Sequence, residues 1–131
     1  MGCHLLRLAK TLPINILIKT LWWLLCAHVL TDYILQPEWM MHHKDPTTLE
    51  YHDELDSKYG PWWWSMLAHS VLNGAAVAGI TGNLWLGMAE IILHFITDTM
   101  KCLGIINAWQ DQNIHISSKL IWVLCYAIFN R

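Results

Sequence analysis

Three histidine–aspartate pairs in this chain are spaced four residues apart: His28 with Asp32, His94 with Asp98, and Asp111 with His115. On an α-helix that spacing stacks both side chains on one face, one turn apart. An imidazole and a carboxylate so placed can aim at a single point. The HExxH helix presents two zinc ligands in this way, and a second helix facing the first completes four positions. Gln36 extends the first pair by a turn, Glu90 stands one turn before His94, Lys101 follows Asp98 by three residues, and His69 shares a face with Asn73. The candidate metal ligands are therefore His28, Asp32, His69, His94, Asp98 and His115. Asp111 is the candidate general base, and Lys101 the candidate holder of an anionic substrate group. A mixed nitrogen and oxygen donor set suits zinc, manganese or iron better than calcium or magnesium. Zinc is the leading expectation, as one ion with an open water position or as a two-metal pair.

Each of these residues also has a plainer reading. Polar side chains in apolar helices commonly pair with one another, so the His/Asp pairs would equally serve as an interhelical hydrogen-bond network. Asp111 is placed to cap a helix, and Lys101 to balance Asp98 while its stem covers apolar surface. Glu90, deeper in its helix, is a protonated carboxyl, a proton relay, or a sign that this helix lies near water. Gln36, Asn73 and Gln112 suit support of the ligands better than ligation. His42, His43 and His52 fall in a polar stretch and read as solvated side chains.

The elements that must position these groups are helical and apolar. Of the 131 residues 55% are hydrophobic and only 14% charged, and Gly60 to Ala89 holds no Asp, Glu, Lys or Arg. That run is long enough for a full membrane span, a tight turn and the start of another. The fold expected is all-α: a transmembrane up-and-down bundle of about four helices in a single domain, residues 1–131, preceded by an interfacial arm over residues 1–13. The spans expected are about 15–36, 62–80, 84–103 and 114–129. Pro37 stops the first, and residues 37–60 form a solvated acidic loop with six of the ten carboxylates and a surface helix around Thr48 to Lys58. Trp62, Trp63 and Trp64 anchor the second span, and its Gly74–Gly79 stretch is small enough for close helix approach or self-association. Thr81-Gly82-Asn83 makes a tight turn, and Asn107 to Asn113 a polar link. The fourth segment is the shortest apolar run, consistent with a tilted helix. Cys3, Cys26, Cys102 and Cys125 show no CxxC pairing and read as small buried hydrophobes.

Alternating helix direction brings the motifs together. His28 and Asp32 lie toward the end of the first span, His69 near the start of the second, Asp98 toward the end of the third, and His115 at the start of the fourth. All fall at one end of an up-and-down bundle.

The series His28-x3-Asp32-x3-Gln36, His69, His94-x3-Asp98-x2-Lys101 and Asp111-Gln112-x2-His115 resembles the small polytopic membrane family of bacteria and their phages catalogued as domain of unknown function 3307. The resemblance covers about residues 20–128 and implies a multi-pass protein of the bacterial inner membrane. It implies no activity. The His/Asp pattern is also similar to that of membrane-bound proteins described as metal-dependent hydrolases, which is an analogy of pattern alone.

The expected function is a metal-dependent membrane hydrolase acting on an ester or phosphoester in the lipid phase. No Ser or Cys nucleophile sits beside a His on a recognisable turn, which speaks against triad chemistry. One rival is a non-enzymatic phage or bacterial factor that binds a host membrane partner through the acidic loop. Another is ion translocation through Glu90 and Asp98, disfavoured by the nearly polar-free turn around Thr81 to Asn83. The expected partners are the bilayer, a lipid-phase substrate, and a second copy of the chain or a host membrane protein. A net charge of -2 and a pI near 6.4 offer no basic footprint for nucleic acid. Lysines and arginines divide evenly between the two ends, leaving both orientations open.

Overall fold

The computed structural model describes residues 12–48 and 56–129. The arm before Leu12, and with it Cys3, lies outside the described residues, as does the stretch holding Glu50, His52, Asp53 and Glu54. Among the described residues the chain is entirely helical. Helix α1 spans Ile14–Val29 and continues through a π-helical turn, Leu30–Ile34. Helix α2 spans Glu38–His43, α3 Trp62–Thr81, α4 Leu84–Cys102 and α5 Ala108–Phe129.

Local chemistry sets most of these boundaries. Pro13, Pro37 and Pro61 each stand immediately before a helix, where a missing N–H costs nothing. Gly82 ends α3 at φ 65°, in the left-handed region open to glycine, and the Asn83 side chain then accepts from the backbone N–H groups of Trp85 and Leu86 to cap α4. Gly104, at φ 71°, ends α4 in the same manner. Helix α5 starts earlier than the sequence pattern suggests. Asn107 and Gln110 form a reciprocal capping box, each side chain accepting from the other's backbone N–H at 3.0 and 2.9 Å, so the expected link at 107–113 is helical from Ala108. Asp111 therefore lies within the first turn of α5 rather than at its N-cap. In the 37–60 loop, residues 44–48 form turns and 56–59 a helical turn, so the described ends of the expected Thr48–Lys58 helix are helical only at the second.

The four long helices close a ring in which α1 packs on α3 and α5, and α4 packs on α3 and α5. The α3/α4 pair is the tightest. A Cβ on Gly87 would stand 2.7 Å from both Ala78 Cβ and the Gly74 carbonyl oxygen, so the small residues are used within the chain. The bundle is layered along its length. At the end where α3 turns into α4, Leu24, Val77, Leu86 and Val123 form an apolar cluster, one residue from each long helix. Toward the other end the interior is polar.

Buried residues are mostly polar. Among the described residues five apolar side chains are buried against eighteen polar or charged ones, while thirty large apolar side chains are exposed, including Trp22, Trp23, Trp63, Trp64, Trp85 and Trp109. The segment Ile14–Ile34 is long and apolar enough to cross a membrane, with a mean hydropathy of 1.5. Among the described residues it is the one helix that is, so of the expected four-span bundle the structure shows the helical bundle and a single candidate span.

Candidate metal centre

All six candidate ligands, with Asp111 and Lys101, converge at the polar end. His28 and Asp32 come from α1 and its π turn, His69 from the second turn of α3, His94 and Asp98 from the second half of α4, and Asp111 and His115 from the first turns of α5. Asp32 sits within the π turn, whose wider i→i+5 bonding (Leu35 N–H to Leu30 O, 2.9 Å) resets the phase of the helix at that point. Thr31 donates to Asn73 Oδ1 at 2.6 Å and ties the π turn to α3.

The imidazole Nε2 atoms face inward. His69 Nε2 lies 3.0 Å from His94 Nε2 and 3.4 Å from Asp32 Oδ1. His94 Nε2 is 3.3 Å from Asp32 Oδ1 and 3.8 Å from Asp98 Oδ1. His115 Nε2 is 3.3 Å from Asp98 Oδ1 and 3.2 Å from Asp111 Oδ1. Three overlapping groups hold their donor atoms within 4.8 Å of one another: Asp32/His94/His115, His69/His94/Asp98, and Asp98/Asp111/His115. His28 joins none of these groups. It stands beside Asp32 (Nδ1 to Oδ2, 3.7 Å) and donates from Nε2 to Gln112 Oε1 at 3.2 Å, which is a supporting position.

These separations fit metal ligation. Donors bound to one ion at about 2.0–2.1 Å lie roughly 2.8–3.4 Å apart across the edge of an octahedron or tetrahedron. Asp111 Oδ1 is buried and makes no hydrogen bond although His115 Nε2 stands 3.2 Å away. The His115 ring N–H is directed at Asp98 Oδ1 instead, at 3.3 Å, which leaves Asp111 Oδ1 as an unused acceptor of the cluster. Asn73 Nδ2 approaches His94 Nε2 at 3.3 Å, and Glu90 Oε1 stands 3.5 Å from His94 Nδ1. Both neighbours favour the tautomer with the proton on Nδ1, with the Nε2 lone pair accepting from Asn73. Burial works against the ionised form of Asp111, but the His115 ring and the Lys101 ammonium beside it outweigh that cost and hold this carboxyl below the usual range.

Two lysines complete the cluster. Lys101 donates to Asp98 Oδ1 at 3.2 Å and Asp111 Oδ2 at 2.8 Å, with its side chain about a third exposed. Lys44, in the turn after α2, is buried and donates to Asp98 Oδ2, and to Gln36 Oε1 at 3.3 Å. Nothing in the sequence pattern singled out Lys44, because its partner is 54 residues away. His43, expected to be solvated, is fully buried, bonded to Ser65 Oγ at 2.7 Å and Asp56 Oδ1 at 2.8 Å. A Ser–His–Asp chain is thus present, with the Ser65 hydroxyl itself buried beneath the loop. Glu90 is neither isolated nor near water: Lys119 and Trp122 Nε1 both donate to it, each at 2.5 Å.

The family described as "Protein of unknown function (DUF3307)" matches residues 20–130. The chain belongs to this family. The match takes in every residue of the cluster, the acidic loop that carries Lys44 included. Neither the curated proteins nor the solved structures hold a significant match to the chain.

Proposed function

We propose that this protein is a multi-pass membrane enzyme, a metal-dependent hydrolase of esters or phosphoesters drawn from the lipid phase. The membrane reading rests on the inverted distribution of side chains, with large apolar residues outside and a polar interior. Water disfavours that surface and hydrocarbon tolerates it. A bacterial inner membrane is the expected location.

The observation that carries the metal reading is the convergence of His69, His94, His115, Asp32, Asp98 and Asp111 donor atoms within 4.8 Å in three overlapping groups, with the buried Asp111 Oδ1 left without a hydrogen bond. A divalent ion, zinc first, supplies a Lewis acid that makes water a nucleophile at neutral pH. Of the carboxylates, Asp111 or Asp32, whichever is not ligating, accepts the proton of the attacking water. The hydroxyl forms the new bond to phosphorus or to the carbonyl carbon, and the proton passes to the departing alkoxide. Lys101, at the exposed margin, holds the anionic group of the substrate.

A second reading has its own support: Asp98 already receives two ammonium groups. On that reading the cluster is a structural network, and the protein is a non-enzymatic factor that binds a host membrane partner. The separating experiment assays the purified chain in lipid nanodiscs against phospholipid and carboxylic-ester substrates, before and after removal and restoration of zinc. Hydrolysis that follows zinc and disappears in Asp98→Asn supports the enzyme. Equal behaviour of folded wild type and Asp98→Asn across all substrates contradicts it.

A further inference from the structure

Lys44 and Lys101 approach the same carboxylate from different elements. Lys44 is brought in by the turn after α2 and reaches Asp98 Oδ2. Lys101, on α4, reaches Asp98 Oδ1 and Asp111 Oδ2. We infer that once a divalent ion takes the carboxylates of Asp98 and Asp111, the two ammonium groups clamp a phosphoryl oxyanion, so that phosphoesters rather than neutral carboxylic esters are the substrate class. This rests on the metal reading above and deepens it.

Charge balance carries the inference. The cluster itself holds three carboxylates, Asp32, Asp98 and Asp111, against two ammonium groups, Lys44 and Lys101. With neutral histidines the cluster bears one negative charge, which a cation complements. A bound dication reverses the sign and leaves one excess positive charge. Excess charge in a buried, poorly hydrated site is costly until a counter-ion reaches it. A neutral ester offers only a dipole, whereas a phosphoryl group offers negative charge and several acceptor oxygens.

Placement supports the same conclusion. Both donors are aimed at the one Asp98 carboxylate, Lys44 at Oδ2 and Lys101 at Oδ1, so both point at the place where a second anion beside the metal would sit. Lys44 is also held in place: its neighbour His43 is fixed by Ser65 and Asp56, and the rings of Trp39 and Tyr59, stacked on each other at 4.3 Å, lie 6.5 and 6.2 Å from the His43 ring. A donor fixed before the ligand arrives loses less entropy on binding than one on a free loop.

The test loads the full chain with zinc in detergent, reads its metal content, and titrates it calorimetrically with inorganic phosphate and, separately, with nanodiscs containing phosphatidic acid. At least one phosphate source should bind the loaded protein. Response to phosphate alone identifies a water-borne ligand, and response to phosphatidic acid alone a lipid headgroup. Loss of one charged hydrogen bond in Lys44→Met or Lys101→Met should weaken binding by about tenfold or more with zinc content unchanged. Lys44→Arg should retain it. If Lys44→Met does not fold, Lys101→Met, altered at a part-exposed side chain, carries the comparison. Loaded protein that binds neither source, or binds equally after both lysine substitutions, overturns the clamp alone. Protein that takes up no zinc overturns the metal reading and the clamp with it.

Discussion

His69 Nε2 and His94 Nε2 face each other at 3.0 Å in the interior of the bundle, where both residues are buried. Only one of the two nitrogens can carry the intervening proton, and a cation between them removes the conflict. Zinc should therefore raise the thermal unfolding temperature of the detergent-solubilised protein, and a chelator should lower it again. The rise should diminish in acid, because the ligand is the neutral ring and protons compete with the metal for it. His94→Ala should abolish it at every pH. Scanning calorimetry on the four combinations of zinc and pH makes the comparison.

Glu90 and Lys119 are fully buried partners between the polar end and the apolar cluster. Removing one charge leaves the other unpaired in the interior, at a cost of about 3–5 kcal/mol. Lys119→Met should therefore be strongly destabilising, and the double variant Glu90→Gln/Lys119→Met should recover most of the loss. A denaturation series on the two variants reads both values, and a double variant no better than the single one would contradict the pairing.

Gly87 and Gly79 should respond oppositely to a methyl group. The new Cβ at Gly87 meets the backbone of α3, so the helices must separate, at a cost of about 1–3 kcal/mol. At Gly79 nothing lies within 4 Å, and alanine should be neutral or stabilising by roughly 0.5–1 kcal/mol. Thermal unfolding of Gly87→Ala and Gly79→Ala checks the sign of each.

Much of this arrangement was legible in the residues themselves. Pro61, the Thr81-Gly82-Asn83 turn and Gly104 punctuate the chain, so α3 and α4 are observed within a residue of the expected 62–80 and 84–103. The His/Asp pairs were readable because a four-residue spacing has one meaning on a helix. Asn107 and Gln110 were equally readable as a capping box, but the polar run around them pointed to a loop instead. Lys44, His43 and the Glu90–Lys119 pair were not legible. Their partners are set by packing between elements distant in sequence, which periodicity does not encode. The π turn at Asp32 is likewise invisible to a 3.6-residue pattern.

The exposed apolar surface carries its own expectation. Expressed in bacteria, the protein should stay in the membrane pellet through alkaline carbonate washing and enter solution only with detergent, because its outward leucines, isoleucines and tryptophans have no water-compatible partner among the described residues. Fractionation with immunoblotting reads the result, and release by carbonate alone would contradict a bundle embedded in lipid.

The most direct measurement is elemental analysis of the detergent-purified protein beside Asp98→Asn, the variant at the carboxylate shared by two of the three ligand groups. Wild type should carry a transition metal in fixed ratio to protein, and Asp98→Asn, folded as judged by its helical circular dichroism, should lose it. Absence of stoichiometric metal in both proteins, or equal metal in both, would contradict a metal centre at this end of the bundle.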